Sequence, residues 1–366
     1  MATLALSRPA TRPRLDLGLL GPNWYAAVMG TAIVANGAAA LPVRVPGLIG
    51  FAELVWALAC AALLVLLAGR AAHLTRHRES AREQLLEDPG TAVFYGCPPM
   101  ALLAVGYGTL VLGGRLIGTG PAAAVDLVLW IAGTGYAVLV AAGIPYLMIT
   151  RHDLSVRRAN PTWLLPVVAP MVAAALGPAL IPHLPDGCRP AMFYACYALF
   201  GAGLLATLVI LPVVFAGLAY GKLPSLVLTP SLFLVLGPLG QSTTAVGQLA
   251  DAAKTVDPGL AGAAAGFAVL YGVAVIGFAL LWLPVAVAAN LRAWRARMPF
   301  AMTWWAFTFP VGTCVTGAAG LERHTGFAGF GWLAVALYCL LLAAWAVAAT
   351  RTAGALAGGR LLRAVG

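Results

Sequence analysis

Charge is scarce in this chain: Asp, Glu, Lys and Arg make up 9 % of its 366 residues, where a soluble domain carries about a quarter. Apolar residues make up 61 % and gather in long runs, the mark of a membrane protein rather than of a large soluble core. Cysteine is sparse and carries no metal spacing such as CxxC. Cys60, Cys97, Cys196, Cys314 and Cys339 fall in apolar runs and Cys188 stands alone in a loop, so neither a zinc site nor a disulfide framework is expected. HExxH, GxSxG and P-loop motifs are missing. Gly201-Ala202-Gly203-Leu204-Leu205-Ala206 fits a dinucleotide fingerprint by its letters, but it lies inside an apolar run where small residues let helices approach. Gly262 and Gly266 form a GxxxG that reads the same way. No cofactor and no metal is expected.

Titratable groups are equally thin within the apolar runs. His73, His77, His152, His183 and His324 fall in loops or helix extensions, so no buried imidazole is expected to relay protons. Glu53 and Asp126 are the acids nearest the membrane, both close to outer helix ends. An ionised group at the bilayer centre costs at least ~2.5–3.5 kcal/mol. None is expected there, which weighs against a carboxylate-driven antiporter and leaves proton coupling at helix ends open.

What is present is a series of ten apolar segments long enough to cross a hydrocarbon layer of about 30 Å. They lie near 21–41, 48–69, 91–113, 121–149, 161–182, 190–219, 225–248, 259–289, 299–320 and 326–350. The fold class expected is all-α and integral to the membrane, with residues 1–20 as an N-terminal arm, 21–350 as one transmembrane domain and 351–366 as a tail. The first stretch is basic without an apolar run of its own, so it does not read as a cleavable signal peptide. The formal charge of +10 is spread in small groups between spans, which points to topology rather than nucleic acid. Seventeen Lys and Arg fall on one side of the ten-span division, including Arg70, Arg151, Arg157, Arg158, Lys222 and Arg292, and five on the other: Arg44, Arg115, Arg189, Lys254 and Arg323. By the positive-inside rule both termini are cytoplasmic and the membrane is the inner or plasma membrane. The polar stretch 70–90 is expected to extend the second helix as a solvated segment.

Odd and even spans differ. Each odd span returns through an even one after a short external loop, which suggests five helical hairpins and an internal repeat. Odd spans hold Pro98 and Pro99, Pro166, Pro170 and Pro178, Pro230 and Pro238, then Pro310. Even spans keep Pro145, Pro212 and Pro284 nearer their ends. Interior proline removes a donor and frees a carbonyl, and in hydrocarbon such groups must find protein or water. The odd spans are therefore candidates for an inner, water-facing layer. Ordinary kinks tolerated by packing are the plain alternative. Polar side chains lean the same way: Asn23, Thr31 and Asn36 in the first span, Thr229, Ser231, Gln241, Ser242, Thr243 and Thr244 in the seventh, Thr303, Thr308, Thr313 and Thr316 in the ninth. Such a wall carries dipoles and no formal charge. Broken-helix amides and side-chain donors can favour anions without trapping them.

Three stretches carry a family resemblance. Gly21-Pro22-Asn23-Trp24-Tyr25-Ala26-Ala27-Val28-Met29-Gly30-Thr31-Ala32-Ile33-Val34 resembles the opening helix of the tellurite-resistance/dicarboxylate transporter family. That family includes TehA, malate permeases, sulfite efflux pumps and slow-type anion channels. Gly237-Pro238-Leu239-Gly240-Gln241-Ser242 is similar to the malate and sulfite branch, and Trp304-Trp305-Ala306-Phe307-Thr308-Phe309-Pro310 resembles the family's aromatic-proline segment. The resemblance implies five hairpins about a quasi-five-fold axis, a central pore lined by the odd helices, a homotrimer, and an aromatic gate from the ninth helix. That role goes to Phe309, with Phe307 as the runner-up. Phe309 precedes a proline and so sits where a regular helix is disfavoured; a phenylalanine simply packed in the core is the alternative. Asn36, Thr31, Pro98, Pro99, Pro170, Thr229, Pro238, Gln241, Thr308 and Pro310 are the expected pore-lining residues. The expected function is transport of small inorganic or carboxylate anions: C4-dicarboxylates such as malate, sulfite, tellurite, halide or nitrate. A proton-linked efflux carrier stands beside it. A membrane-embedded enzyme or a sensor is opposed by the missing catalytic clusters and signalling domain.

Overall fold

The computed structural model describes residues 20–358. Arg8, Arg12, Arg14, Arg360 and Arg363, with the rest of the expected arm and tail at 1–19 and 359–366, lie outside the described residues. Among the described residues all regular structure is helical. Ten α-helices have at least 12 residues: α1 (Tyr25–Ala40), α2 (Leu48–Arg76), α3 (Cys97–Gly108), α4 (Thr119–Thr150), α5 (Leu164–Leu176), α6 (Arg189–Gly221), α7 (Leu236–Val256), α8 (Pro258–Arg295), α9 (Phe309–Thr325) and α10 (Ala328–Ala357). The last runs past the expected boundary at 350. Among the described residues seven stretches, those containing α2, α3, α4, α5, α6, α8 and α10, are long and apolar enough to cross a membrane. The other three are shorter or more polar: α1 and α9 have 16 and 17 residues, and α7 carries Asp251 and Lys254 near its end.

The helices form two layers. In the apolar stretches of α2, α4, α6, α8 and α10 only 22 to 28 % of residues are buried, against 56 % in the stretch of α3 and 94 % in that of α5. Most of α1, α7 and α9 is buried too. Inside, α1 packs on α3, α3 on α5, α5 on α7, α7 on α9, and α9 back on α1. Each outer helix packs on the inner helix that precedes it in sequence, and also touches the next one.

A recurring local feature marks the inner layer. Each inner helix is entered through a 3₁₀ segment: Pro22–Trp24, Val93–Gly96, Pro161–Trp163, Thr229–Val235 and Met302–Phe307. Interior kinks were expected from the prolines. Instead Pro98, Pro99 and Pro310 sit in the first turns of α3 and α9, where a missing N–H costs nothing because those donors have no intrahelical acceptor. Pro170 is interior to α5. The outer helices α4, α6 and α8 hold interior prolines as well, Pro145, Pro212 and Pro284. Interior proline therefore does not separate the layers. A 3₁₀ entry is common to all five inner helices, and among the outer ones α6 has one as well, Asp186–Cys188.

The outer layer supplies donors to the inner one. The Trp130 indole on α4 donates to Ala173 O of α5 at 3.0 Å, and Trp282 on α8 donates to Leu232 O of the α7 entry at 2.9 Å. Trp56 on α2 donates to Thr109 Oγ1 and Trp345 on α10 to Thr31 Oγ1, each at 3.1 Å. Tyr338 on α10 donates to Val34 O, and Asn290 on α8 to Thr229 O. Gly203 turns its bare face to Met171 of α5, a packing role. Gly262 and Gly266 have no neighbour within 4 Å, so the expected helix packing is not made within this chain.

The polar stretch at 70–90 is only partly solvated. The helix continues to Arg76, breaks at His77, and a second helix Arg78–Leu86 follows. Arg70 is buried because its guanidinium finds Leu20 O at 2.8 Å, Gln84 Oε1 at 3.2 Å and the Tyr95 hydroxyl at 2.6 Å. His73 is fully buried beside it and His152 nearly so, so the expectation of no buried imidazole is corrected. Both stand at the arginine-rich end; His152 Nε2 lies 3.2 Å from Leu85 O. Arg151 joins the same end through an ion pair with Glu87.

The ninth helix is pinned on both sides by glycine. A Cβ at Gly240 of α7 would lie 2.4 Å from Cys314 N, and one at Gly312 of α9 would lie 2.4 Å from the Ile33 side chain. Backbone cannot give way at the first contact. Gly240→Ala is expected to cost about 1–3 kcal/mol by overpacking, read as an earlier thermal unfolding of the detergent-solubilised protein. Gly262→Ala, with open space around it, should unfold with the parent.

Candidate functional site

Three cavities follow one another along the inner layer. The largest, of about 550 Å³, opens at the end of the molecule away from Arg70, and every inner helix contributes: Asn36 from α1, Tyr107 from α3, Leu176 from α5, Gln241 from α7 and Phe309 from α9. A second, of about 20 Å³, is apolar and lined by Met29, Met100, Val168, Pro238, Phe309 and Pro310. A third of about 20 Å³ lies beyond it among Ala26, Cys97, Thr162, Ser231, Met302 and Trp305. Phe309 is the side chain shared by the first and second, and Met29, Leu165 and Leu234 are shared by the second and third.

Phe309 follows the break between the Met302–Phe307 segment and α9. Its side chain is 3 % exposed. Thr308, at φ −101° and ψ −77°, turns the chain there and closes its hydroxyl onto Trp305 O at 2.7 Å. Phe307 occupies a different place. It packs edge-on to Phe233 with centroids 5.0 Å apart and lines a lateral apolar cavity of about 180 Å³ with Trp294 and Leu340.

The other expected residues divide in the same manner. Asn36 and Gln241 line the large cavity, and Pro238 and Pro310 line the second. Thr31 is engaged with Ala27 O and Trp345, Thr229 with Ser225 O, and Thr308 faces Gly30 of α1. Pro98, Pro99 and Pro170 are buried but line none of these three cavities.

The large cavity departs from the expected wall without formal charge. Asp251, Glu322 and Arg323 also line the large cavity. Asp251 accepts from Lys254 Nζ at 2.7 Å and faces His324 Nε2 at 3.7 Å. These residues, with Tyr107 and Gln248, were missed. Their signal is nevertheless in the sequence: Gln241, Thr244, Gln248 and Asp251 recur at helical spacing and form one polar face of α7. Asp126, in the third turn of α4, is 2 % exposed; it packs against Gly106, and its Oδ2 has no hydrogen-bond partner among the described residues. No group of three His, Cys, Asp or Glu among the described residues is placed to hold a metal ion.

An all-helical membrane architecture with cavities threaded along its inner helices is the architecture of a transporter or channel. The family model for the SLAC1 voltage-dependent anion channel matches residues 20–353, and the chain belongs to that family. Among curated relatives, a sulfite efflux pump SSU1 of Trichophyton rubrum is 30 % identical over 318 residues, 84 % of this chain and 83 % of the relative. A second SSU1, from Arthroderma benhamiae, gives the same identity and coverage, 30 % over 84 % and 83 %. An uncharacterized transporter of Methanocaldococcus jannaschii, MJ0576, is 25 % identical over 90 % of this chain and 92 % of its own.

The cavity series makes a direct accessibility prediction in a background without the native cysteines. Thr244→Cys, in the large cavity, should react with a small hydrophilic thiol reagent, and Val168→Cys, in the second cavity, should be protected. Val168→Cys should become reactive when combined with Phe309→Ala. Equal labelling of both in the parent background would show that Phe309 separates nothing.

Proposed function

We propose that the three cavities are one conduction path for small anions, closed at rest by the Phe309 ring, and that sulfite is its substrate. The observation that carries this reading is the position of Phe309 as the single side chain shared by the large polar cavity and the apolar one behind it. Anion transport is the business of the family, and sulfite follows the printed function of the two fungal relatives. The same reading takes the ten helices as ten spans in five hairpins, with α1, α3, α5, α7 and α9 around a quasi-five-fold pore. The closed sequence of inner-helix contacts and the repeated 3₁₀ entries support it. It also takes the arginine-rich end as cytoplasmic, which the positive-inside rule supports, the membrane as the plasma membrane, and the assembly as a trimer. Other small anions, C4-dicarboxylates, tellurite, halide and nitrate, are competitors to be ranked by experiment.

Closure follows from ordinary physics. An anion entering a cavity of about 20 Å³ lined by Met29, Met100 and Val168 loses its hydration shell and meets no compensating donor. The ring of Phe309 completes that dry neck. A second reading, proton-linked efflux, is favoured by one observation: the buried carboxyl of Asp126 beside α3, where a transported proton could reside.

Reconstitution in liposomes decides between them. Phe309→Ala should raise sulfite flux by about tenfold or more, the effect of ~1.4 kcal/mol of barrier, with expression and oligomer size unchanged. Phe307→Ala should stay near the parent, because its ring faces the lateral cavity. An unchanged flux in Phe309→Ala would remove the gate. Flux that follows an imposed pH gradient and is abolished in Asp126→Asn would establish the second reading.

A further inference from the structure

Several side chains in the wall of the large cavity turn acceptor oxygens toward it. Gln241 is 2 % exposed and lines the cavity, yet its Oε1 has no partner among the described residues. Thr244 and Thr316 line it as well, with their hydroxyl oxygens 2.7 Å apart. Thr244 also reaches Gly240 O and Thr316 reaches Thr313 O, each at 3.0 Å. Whichever hydroxyl donates to the other, both protons are consumed inside the protein, so toward the cavity these residues offer lone pairs. Asn36 has one amide hydrogen committed to Ala104 O at 3.0 Å, while its Oδ1, like Gln241 Oε1, has no partner among the described residues. The carboxamide of Gln241, buried in the wall between the polar mouth and Phe309, can both donate and accept.

Formal charge around the cavity cancels. Arg323 and Glu322 both line it, with opposite charges, and Asp251 is already held by Lys254. Below that mouth the lining residues Ile33, Asn36, Ala104, Leu176, Gln241, Thr244 and Phe309 carry none. The desolvation cost of an ion grows with the square of its charge, so a dianion would lose about four times what a monoanion loses. No excess cation offsets it. Dipoles can hold a monoanion; they are poorly matched to a dianion.

We propose that the cavity outside Phe309 selects a monovalent oxyanion that carries its own hydroxyl, hydrogensulfite rather than the sulfite dianion, with the Gln241 carboxamide as the specificity-determining group. The inference rests on the conduction path described above. In this arrangement Gln241 Nε2 donates to a sulfur-bound oxygen, and Gln241 Oε1 accepts the hydroxyl of the ligand. Halide and nitrate bring no hydroxyl, so they use only half of the amide. Each hydrogensulfite that passes carries one proton with it, and proton movement linked to transport then needs no titrating side chain.

The test is flux of radiolabelled sulfite and of chloride into proteoliposomes, with equal pH on both sides and uptake into protein-free liposomes subtracted. At fixed total sulfite, the parent rate should rise in proportion to the monoanion fraction as pH falls through the second ionisation of sulfurous acid, while chloride flux stays flat. Gln241→Leu should lower the ratio of hydrogensulfite to chloride flux by about tenfold, the loss of a charge-assisted hydrogen bond. A sulfite rate that follows the dianion, or a Gln241→Leu ratio equal to the parent's, would overturn the proposal. Chloride flux with no sulfite flux at any pH would also overturn it, while leaving the conduction path standing. Absence of all anion flux in the parent and in Phe309→Ala would instead remove the path itself. Should Gln241→Leu fail to fold, the pH series on the parent protein still decides.

Discussion

Backbone amides and carbonyls cannot be left unpaired in an apolar surround, and this constraint shapes the molecule more than any other. Inner helices that begin in 3₁₀ turns have poorer hydrogen-bond geometry than continuous α-helices, so their polar groups need partners from elsewhere. The outer helices provide them. Trp130 and Trp282 each extend an indole N–H across the layer boundary to an inner carbonyl, and Asn290 and Tyr338 do likewise. An indole suits this work because it buries a large apolar ring around a single donor. The inner helices can therefore be short, irregular and rich in small residues, which lets them approach closely and leave space between them.

The same economy of charge extends to the axial cavities. Arg323, Glu322, Asp251 and Lys254 gather where water can reach them, and farther in the lining consists of amides, hydroxyls and apolar groups. On the proposed reading, an anion is first met by a polar but nearly neutral chamber and then by a dry neck at Phe309. Neutral walls bind weakly, and weak binding favours passage over retention.

Much of this was legible in the sequence because hydropathy and charge speak directly to burial. The outer helices read plainly: they are apolar on every side and bounded by arginine. The family resemblance at Gly237–Gln241 and Trp304–Pro310 located two segments that line the cavities. Less legible was anything set by side-chain direction across helices. Thr31, Thr229 and Thr308 carry the right chemistry but spend it on neighbouring carbonyls and an indole, and a list of polar residues cannot reveal that. Proline misled for a local reason, since a proline in a first turn has no donor to remove. Asp251, Glu322 and Arg323 were assigned to an external loop by topology. A helical plot of α7 would have placed Asp251 on the face of Gln241, Thr244 and Gln248.

The glycine contacts around α9 bear on how a path could open. With Gly240 of α7 touching the backbone at Thr313 and Cys314, and Ile33 of α1 seated against Gly312, the segment bearing Phe309 is wedged between two neighbours and has no room to slide. On the proposed reading, opening then falls to the ring of Phe309 turning about its χ angles. That ring is buried, so it turns only when its packed neighbours yield, more slowly than the picosecond-to-nanosecond flips of exposed side chains. Throughput would then be set by how often the ring turns away, with no large rearrangement of the bundle in each cycle.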